Sequence, residues 1–314
     1  MKNLNSKFMK RVSKIISILL LLFVSVVYSQ QDPQYTQYMY NMHIVNPAYA
    51  GSAGTLNIGL LHRTQWVGLD GAPKTTVATI NAPIKKNVGI GLSVFSDKIG
   101  PVSEQNLFAD ISYTIETSDY GKLAFGVKGG FTFLDASLSS LDLGDLIADD
   151  VFREDINDTF ANFGAGAFYY TSNFYVGLSM PNILNQYHLK KKSGIISSAS
   201  EKMHYFLTSG YVFELNDKLK LKPSVLIKGV GGAPLSIDFS GNVLINNKLE
   251  FGLSWRFDDS VSALMNIEVA PLIRVGYAYD YTTTNLGDFN SGTHEIILLM
   301  TISNSRNGLS PRFF

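Results

Sequence analysis

Leu249-Glu250-Phe251-Gly252-Leu253-Ser254-Trp255-Arg256-Phe257 places a large apolar side chain at every second position, with Glu, Gly, Ser and Arg between them. Neighbouring side chains on a strand point to opposite faces, so this stretch reads as a strand with one greasy face and one polar or small face. The same period of two recurs upstream and downstream. Leu123, Phe125, Val127, Phe131 and Phe133 oppose Ala124, Gly126, Lys128, Gly130 and Thr132. Ile273, Val275, Tyr277, Tyr279 and Tyr281 oppose Arg274, Gly276, Ala278 and Asp280, and Val88, Ile90, Leu92 and Val94 oppose Gly89, Gly91 and Ser93.

Extending this reading predicts strands near 55–66, 73–83, 87–97, 103–117, 120–134, 158–170, 173–180, 201–214, 217–230, 234–246, 248–258, 260–269, 271–282 and 292–303, about 14 in all. Many reach the roughly 10 residues that cross a bilayer at a tilt of about 45°, well beyond the five or six usual in soluble sheets. A soluble β-sandwich would alternate too. Strand length, an export signal and aromatics near strand ends (Trp66, Phe95, Tyr113, Tyr120, Phe133, Tyr169, Phe174, Phe213, Phe257 and Tyr281) argue for lipid. Past residue 30 no apolar run is long enough for a spanning helix, so an embedded chain must close into a barrel, leaving no unpaired edge in hydrocarbon. Connections after even-numbered strands are tight, such as 84–86, 118–119 and 171–172, and several after odd-numbered ones are long: 67–72, 135–157, 181–200 and 283–291. That is the pattern of short periplasmic turns and longer external loops. An N-terminus on the periplasmic side places each long loop outside. The expectation is an all-β transmembrane antiparallel barrel of the outer membrane, spanning 55–303.

The chain of 314 residues is 46% apolar and 17% charged, with 27 Gly and no Cys. This excludes disulfides, thiolate catalysis and Cys-ligated zinc, and the apolar content argues against disorder. Lys2, Lys7, Lys10, Arg11 and Lys14 precede the apolar run Ile15–Val27, and Ser29 suits the residue before a cleavage site. Residues 1–29 therefore read as a secretory signal peptide, the run being short for a membrane anchor. Its loss takes five of the 26 basic side chains and none of the 26 acidic ones, leaving a formal net charge of −5. Nothing in that balance points to nucleic acid.

The mature start, Gln31-Asp32-Pro33-Gln34-Tyr35-Thr36-Gln37-Tyr38-Met39-Tyr40-Asn41, continues through Asn46-Pro47-Ala48-Tyr49-Ala50-Gly51. Arg63-Thr64-Gln65-Trp66-Val67-Gly68, Gly71-Ala72-Pro73-Lys74-Thr75 and the terminal Ser310-Pro311-Arg312-Phe313-Phe314 follow. In this order the motifs resemble the PorP/SprF family of Bacteroidetes outer-membrane proteins, from the end of the signal peptide to the last residue. The resemblance implies a β-barrel of the type IX secretion system and gliding machinery. It implies as partner a secreted cargo with a C-terminal type IX secretion domain, often a large adhesin, which the barrel helps export or anchor at the surface. It also implies contacts with type IX translocon, periplasmic ring or lipoprotein components, and it brings no catalytic residues. The alternative is a passive porin or hydrophobic-solute channel.

Residues 30–54 are too rich in Tyr35, Tyr38, Tyr40, Tyr49, Met39 and Met42 for a solvated tail, and Asn46-Pro47 marks a turn. Two readings stand: a plug in the periplasmic mouth or lumen, carried by Tyr35, Tyr38, Tyr40, Asn46, Pro47 and Tyr49, or a lead-in to the first strand along the rim. The tail 304–314, with Pro311, either folds back into the lumen or meets a periplasmic partner.

In the long loop 135–157, Leu141, Leu143, Leu146, Ile147 and Val151 interleave with Asp142, Asp145, Asp149 and Asp150. An amphipathic external helix that touches cargo fits this pattern; a solvated lid is the plainer reading, and no EF-hand order suggests calcium. Lys190, Lys191 and Lys192 in loop 181–200 offer a cluster for an acidic partner or lipopolysaccharide phosphates, or are a solvated run. On the ninth strand Lys220, Lys222, Ser224 and Lys228 share a face that must be the lumen if Leu219, Leu221, Val225 and Ile227 meet lipid. His43, His62, His188, His204 and His294 show no triad or metalloprotease spacing. Neither a metal, a cofactor nor an enzymatic activity is expected.

Overall fold

The computed structural model describes residues 34–140, 155–183, 187–192, 195–200 and 203–302. The signal peptide, the tail 304–314 and Leu141, Leu143, Leu146, Ile147 and Val151 lie outside the described residues. The strands are β1 (Leu56–Thr64), β2 (Lys74–Lys85), β3 (Val88–Ile99), β4 (Val102–Glu116), β5 (Lys122–Ala136), β6 (Ile156–Tyr170), β7 (Phe174–Met180), β8 (Tyr187–Lys192) and β9 (Ile195–Ser200). They continue as β10 (His204–Tyr211), β11 (Phe213–Asn216), β12 (Leu219–Val230), β13 (Ser236–Ile245), β14 (Leu249–Arg256), β15 (Ser260–Ala270), β16 (Ile273–Thr282) and β17 (Thr293–Ile302).

Each barrel strand pairs antiparallel with its neighbours, and β1 closes the ring on β17 from Leu56↔Ile302 to Thr64↔His294. β10 and β11 form one stave against β12, interrupted at Val212, whose N–H donates to the Asn173 carbonyl at 2.8 Å. Counting that stave once gives a closed barrel of 14 antiparallel strands. No helix among the described residues is long and apolar enough to cross a membrane; the crossing is made by strands.

The two faces of the wall settle which solvent the outside meets. Leu253 is 67% exposed, and Phe125, Val127, Phe131, Leu92 and Ile296 are each about half exposed, whereas Glu250 and Glu295 are fully buried. Lys128, Lys222, Lys228, Arg63 and Arg256 are buried too. A water-soluble sandwich would do the reverse, because charged side chains almost never bury unpaired. Here lipid takes the apolar face and the interior takes the charges. The lysines of β12 point inward as the alternation requires.

Turn chemistry follows the local sequence. Between β13 and β14, Asn246 and Asn247 both take left-handed backbone (φ 53° and 56°), the geometry of a type I′ hairpin, which Asn tolerates better than most residues. Opposite this end lie the long connections, 65–73, 137–155, 181–203 and 283–292. The span read above as loop 181–200 is not all loop: β8 and β9 form a two-stranded hairpin of their own, Lys190↔Ser197, Lys191↔Ile196 and Lys192↔Ile195.

Candidate functional site

Residues 34–54 run inside the barrel. Gln34 stands near the end that bears the long connections, its Nε2 donating to Ser236 Oγ at 3.3 Å. The chain then descends through a 3-10 turn at Tyr38–Tyr40, one α-turn at Met42–Val45 and another 3-10 turn at Pro47–Tyr49. It reaches β1 at the tight-turn end. So although β1 begins at that end, Gln34, the first described residue of the segment, lies toward the opposite one.

Three elements of this path have local causes. Asn46 Oδ1 accepts the Ala48 N–H at 3.0 Å and Pro47 takes the first position of its turn, the usual cap-plus-proline start. Tyr38, Met39, Met42, Ile44 and Val45 are buried in one cluster with Leu61, Val77, Phe168, Phe206 and Leu226 of the wall. Tyr49 meets Phe168 edge to face at 5.3 Å between ring centres.

The polar contacts divide into two grips. On the β1, β14, β16 and β17 side, Glu295 accepts the backbone N–H groups of Thr36 (3.0 Å) and Gln37 (2.8 Å). Arg63 bridges Asp280 at 2.8 Å and Glu295 at 3.0 Å, and also donates to Thr36 Oγ1. Thr36 Oγ1 donates in turn to Asp280. Lower down, the Tyr40 hydroxyl donates to Glu250, which also accepts from Asn242 (2.6 Å) and Arg274 (3.2 Å). Lys222 Nζ lies 5.4 Å from the Tyr40 ring centre.

On the β3 to β7 side the wall holds backbone. Lys128 Nζ, paired with Asp110 at 3.7 Å, donates to the Ile44 carbonyl at 2.9 Å. Ser179 Oγ donates to the Val45 carbonyl at 2.8 Å and Ser112 Oγ to the Ala50 carbonyl at 2.6 Å. A Cβ at Gly126 would run into the backbone of Pro47 and Ala48, and one at Gly89 into the Ala50 carbonyl. These inward glycines let the segment lie directly on the wall.

Above this segment, toward the long connections, a cavity opens between Tyr35, Phe95, Phe108, Phe206 and Leu226, with Asp97, Glu104, Lys228 and Asp238 at its margin. At the base of loop 137–155, the Ser139 N–H donates to Asp155 at 3.0 Å and holds that carboxyl below the usual carboxylate range.

The six residues expected in the N-terminal segment thus all lie inside the barrel: Tyr35, Tyr38, Asn46 and Pro47 buried, Tyr40 and Tyr49 half-buried. Lys190, Lys191 and Lys192 fall on β8, away from the lumen segment in the chain. The alternation argument placed Glu250 and Asp280 on the polar face without giving them a role, and it did not reach Arg63 or Glu295. Their signal was available: each is a charged residue at an inward position of a strand that would otherwise face lipid. His43 lies in the lumen with Nδ1 3.3 Å from Asn81 Nδ2, and His62 and His294 sit on the outer wall. Among the described residues no group of His, Cys, Asp and Glu is arranged to hold a metal.

The family model for the type IX secretion system membrane protein PorP/SprF matches residues 27–300. No curated protein sequence matches significantly. Among solved structures, the chain is similar to the Pseudomonas putida toluene transporter TodX at 11% identity and TM-score 0.48, covering 85% of this chain and 95% of that one. It is also similar to the CymD monoaromatic hydrocarbon channel (11%, TM-score 0.47, 90% and 96%) and to the Acinetobacter baumannii outer membrane protein Omp33 (11%, TM-score 0.44, 80% and 99%). At this distance nothing of their ligands carries over. With a family match over most of its length and a closed, lipid-facing wall of 14 strands, the chain belongs to the PorP/SprF family of type IX secretion system membrane proteins and is a β-barrel of the outer membrane.

Proposed function

We propose that this barrel is a plugged scaffold that binds the C-terminal domain of a secreted protein, in keeping with a large adhesin, through its external loops and supports that cargo's export or surface anchoring. The observation that carries this reading is the occupied lumen. Residues 34–54 lie within the interior and are tied to both halves of the wall by hydrogen bonds to buried, ion-paired side chains and by glycine contacts. Such a lumen suits a docking platform better than an open conduit. The external loops are then the contact surface, with residues 141–151 and Lys190, Lys191 and Lys192 as its candidates. Translocon, ring or lipoprotein components of the type IX system meet the periplasmic turns, and energy for export comes from them, since the barrel carries no nucleotide motif.

Affinity purification from native outer membranes, followed by mass spectrometry, tests this. The expected result is a co-purifying secreted protein with a C-terminal type IX domain. A barrel that comes out alone, together with high ion conductance in planar bilayers, overturns it. The aromatic cavity above the segment favours a second reading, a hydrophobic-solute channel. Conductance that responds to an aromatic solute, and that is unchanged when residues 31–50 are deleted, supports the channel and refutes the plug.

A further inference from the structure

Among the described residues, the outer wall carries a band of polar and basic side chains near the long-connection end of β16, β17, β1, β2 and β3. The ladder register sets Lys98, Lys74, Thr64, His294 and Tyr279 side by side across β3, β2, β1, β17 and β16. The next row down holds Ser96, Thr76, His62, Ile296 and Tyr277. All of these face outward. His62 Nδ1 is 2.9 Å from Thr76 Oγ1, and the Tyr277 hydroxyl is 2.7 Å from His294 Nδ1. One row further down, Leu60, Ala78, Val94 and Leu298 return the wall to hydrocarbon.

Lys74 and Lys98 are the anomaly. They are direct cross-strand partners, an arrangement that repels unless an anion lies between them. Neither makes an ion pair with a described residue. Both line a cleft with Thr64, Gln65, Trp66 and Asp70, and with Asp70 counted its formal charge is +1. The loop that roofs this cleft is preformed. Trp66 N–H donates to Thr293 Oγ1, Val67 N–H to the Gly292 carbonyl, and Gly100 N–H to the Gly71 carbonyl. Trp66 itself sits in left-handed backbone (φ 44°), a costly conformation for a bulky residue and one that concentrates at ligand sites. Elsewhere on the same rim, Asp135 on β5 presents a carboxylate, which accepts from the Asn157 amide on β6 at 3.3 Å.

We propose that this cleft binds a phosphorylated glycolipid of the outer leaflet. Its phosphate lies between Lys74 and Lys98, its sugar lies against Trp66, and its chains run down Leu60, Ala78, Val94 and Leu298. Charge complementarity and depth select this ligand: the site faces lipid, at the level where headgroups begin. The assignment does not depend on how the lumen or the cargo is used.

Native mass spectrometry of the detergent-purified barrel, offered phosphorylated lipid A, its dephosphorylated form or phosphatidylethanolamine, tests it. The phosphorylated lipid is expected to remain bound longest, and the double variant Lys74→Glu/Lys98→Glu to lose it by about thirtyfold. Lys218→Glu/Lys248→Glu, at the opposite rim, is expected to retain it. Heat-modifiable gel migration checks that each variant is folded; if the Glu pair does not fold, Lys74→Gln/Lys98→Gln is measured, with a loss of about tenfold expected. Equal retention of the two lipid A forms, undiminished retention in a folded Lys74/Lys98 double variant, or displacement by inorganic phosphate alone overturns the proposal.

Discussion

The two halves of the wall hold the same internal segment by different physics. Around β1, β16 and β17, charge does it: Arg63, Asp280 and Glu295 grip Thr36 and Gln37 with side chains that are themselves fully buried. Around β3 to β7, proximity does it: Gly126 and Gly89 let the backbone of residues 47–50 touch the wall, and Lys128, Ser112 and Ser179 catch carbonyls. A buried ion network tolerates no missing member, because the remaining charge has no water to turn to. A small-residue contact tolerates loss but not gain, because there is no room to add atoms. The charged half therefore fixes register along the segment, and the glycine half fixes its distance from the wall.

Substitutions that remove a charge on one side or add volume on the other separate these roles. The largest effect is expected from Arg63→Ala, which strands Asp280 and Glu295 and costs about 3–5 kcal/mol. A lower temperature of conversion to the unfolded band on heat-modifiability gels reads it, and an unchanged temperature refutes the charge grip. Gly126→Val comes next, at about 1–3 kcal/mol, by pushing Pro47 and Ala48 off the wall. Its sign is displacement rather than unfolding: new protease cleavage within 34–54 and raised conductance in a barrel that still migrates as folded. If neither changes, the close contact is incidental. Asn46→Ala is the mildest, about 1 kcal/mol, because it removes a cap and one hydrogen bond to the Ala167 carbonyl while leaving the ion pairs. Urea titration in detergent micelles measures it, and a loss as large as that of Arg63→Ala would erase the distinction between the halves.

Much of this architecture was legible beforehand. The alternation in Leu249–Phe257 and Lys122–Phe133 names faces correctly because a strand has only two, and a lipid-facing barrel needs one of them continuously apolar. Parity of long and short connections was legible for the same reason. The β8–β9 hairpin was not, since its two strands pair with each other and not with the barrel wall whose two faces set the pattern. The break at Val212 was equally hidden: its N–H reaches Asn173 on a neighbouring stretch of chain, a partner that no local signal names.

The composition of residues 30–54 already said that the segment could not be left in water, and the inward charges of the strands said that the lumen needed partners. What the linear order left open was direction and pairing. Only the closed ring brings Arg63, Asp280 and Glu295, from three different strands, to the same two residues of the N-terminal segment. The strand period is a property of neighbouring residues and survives in any fragment. The meeting of β1 with β17 joins the two ends of the sheet, about 240 residues apart in sequence, and depends on curvature accumulated over every strand between them.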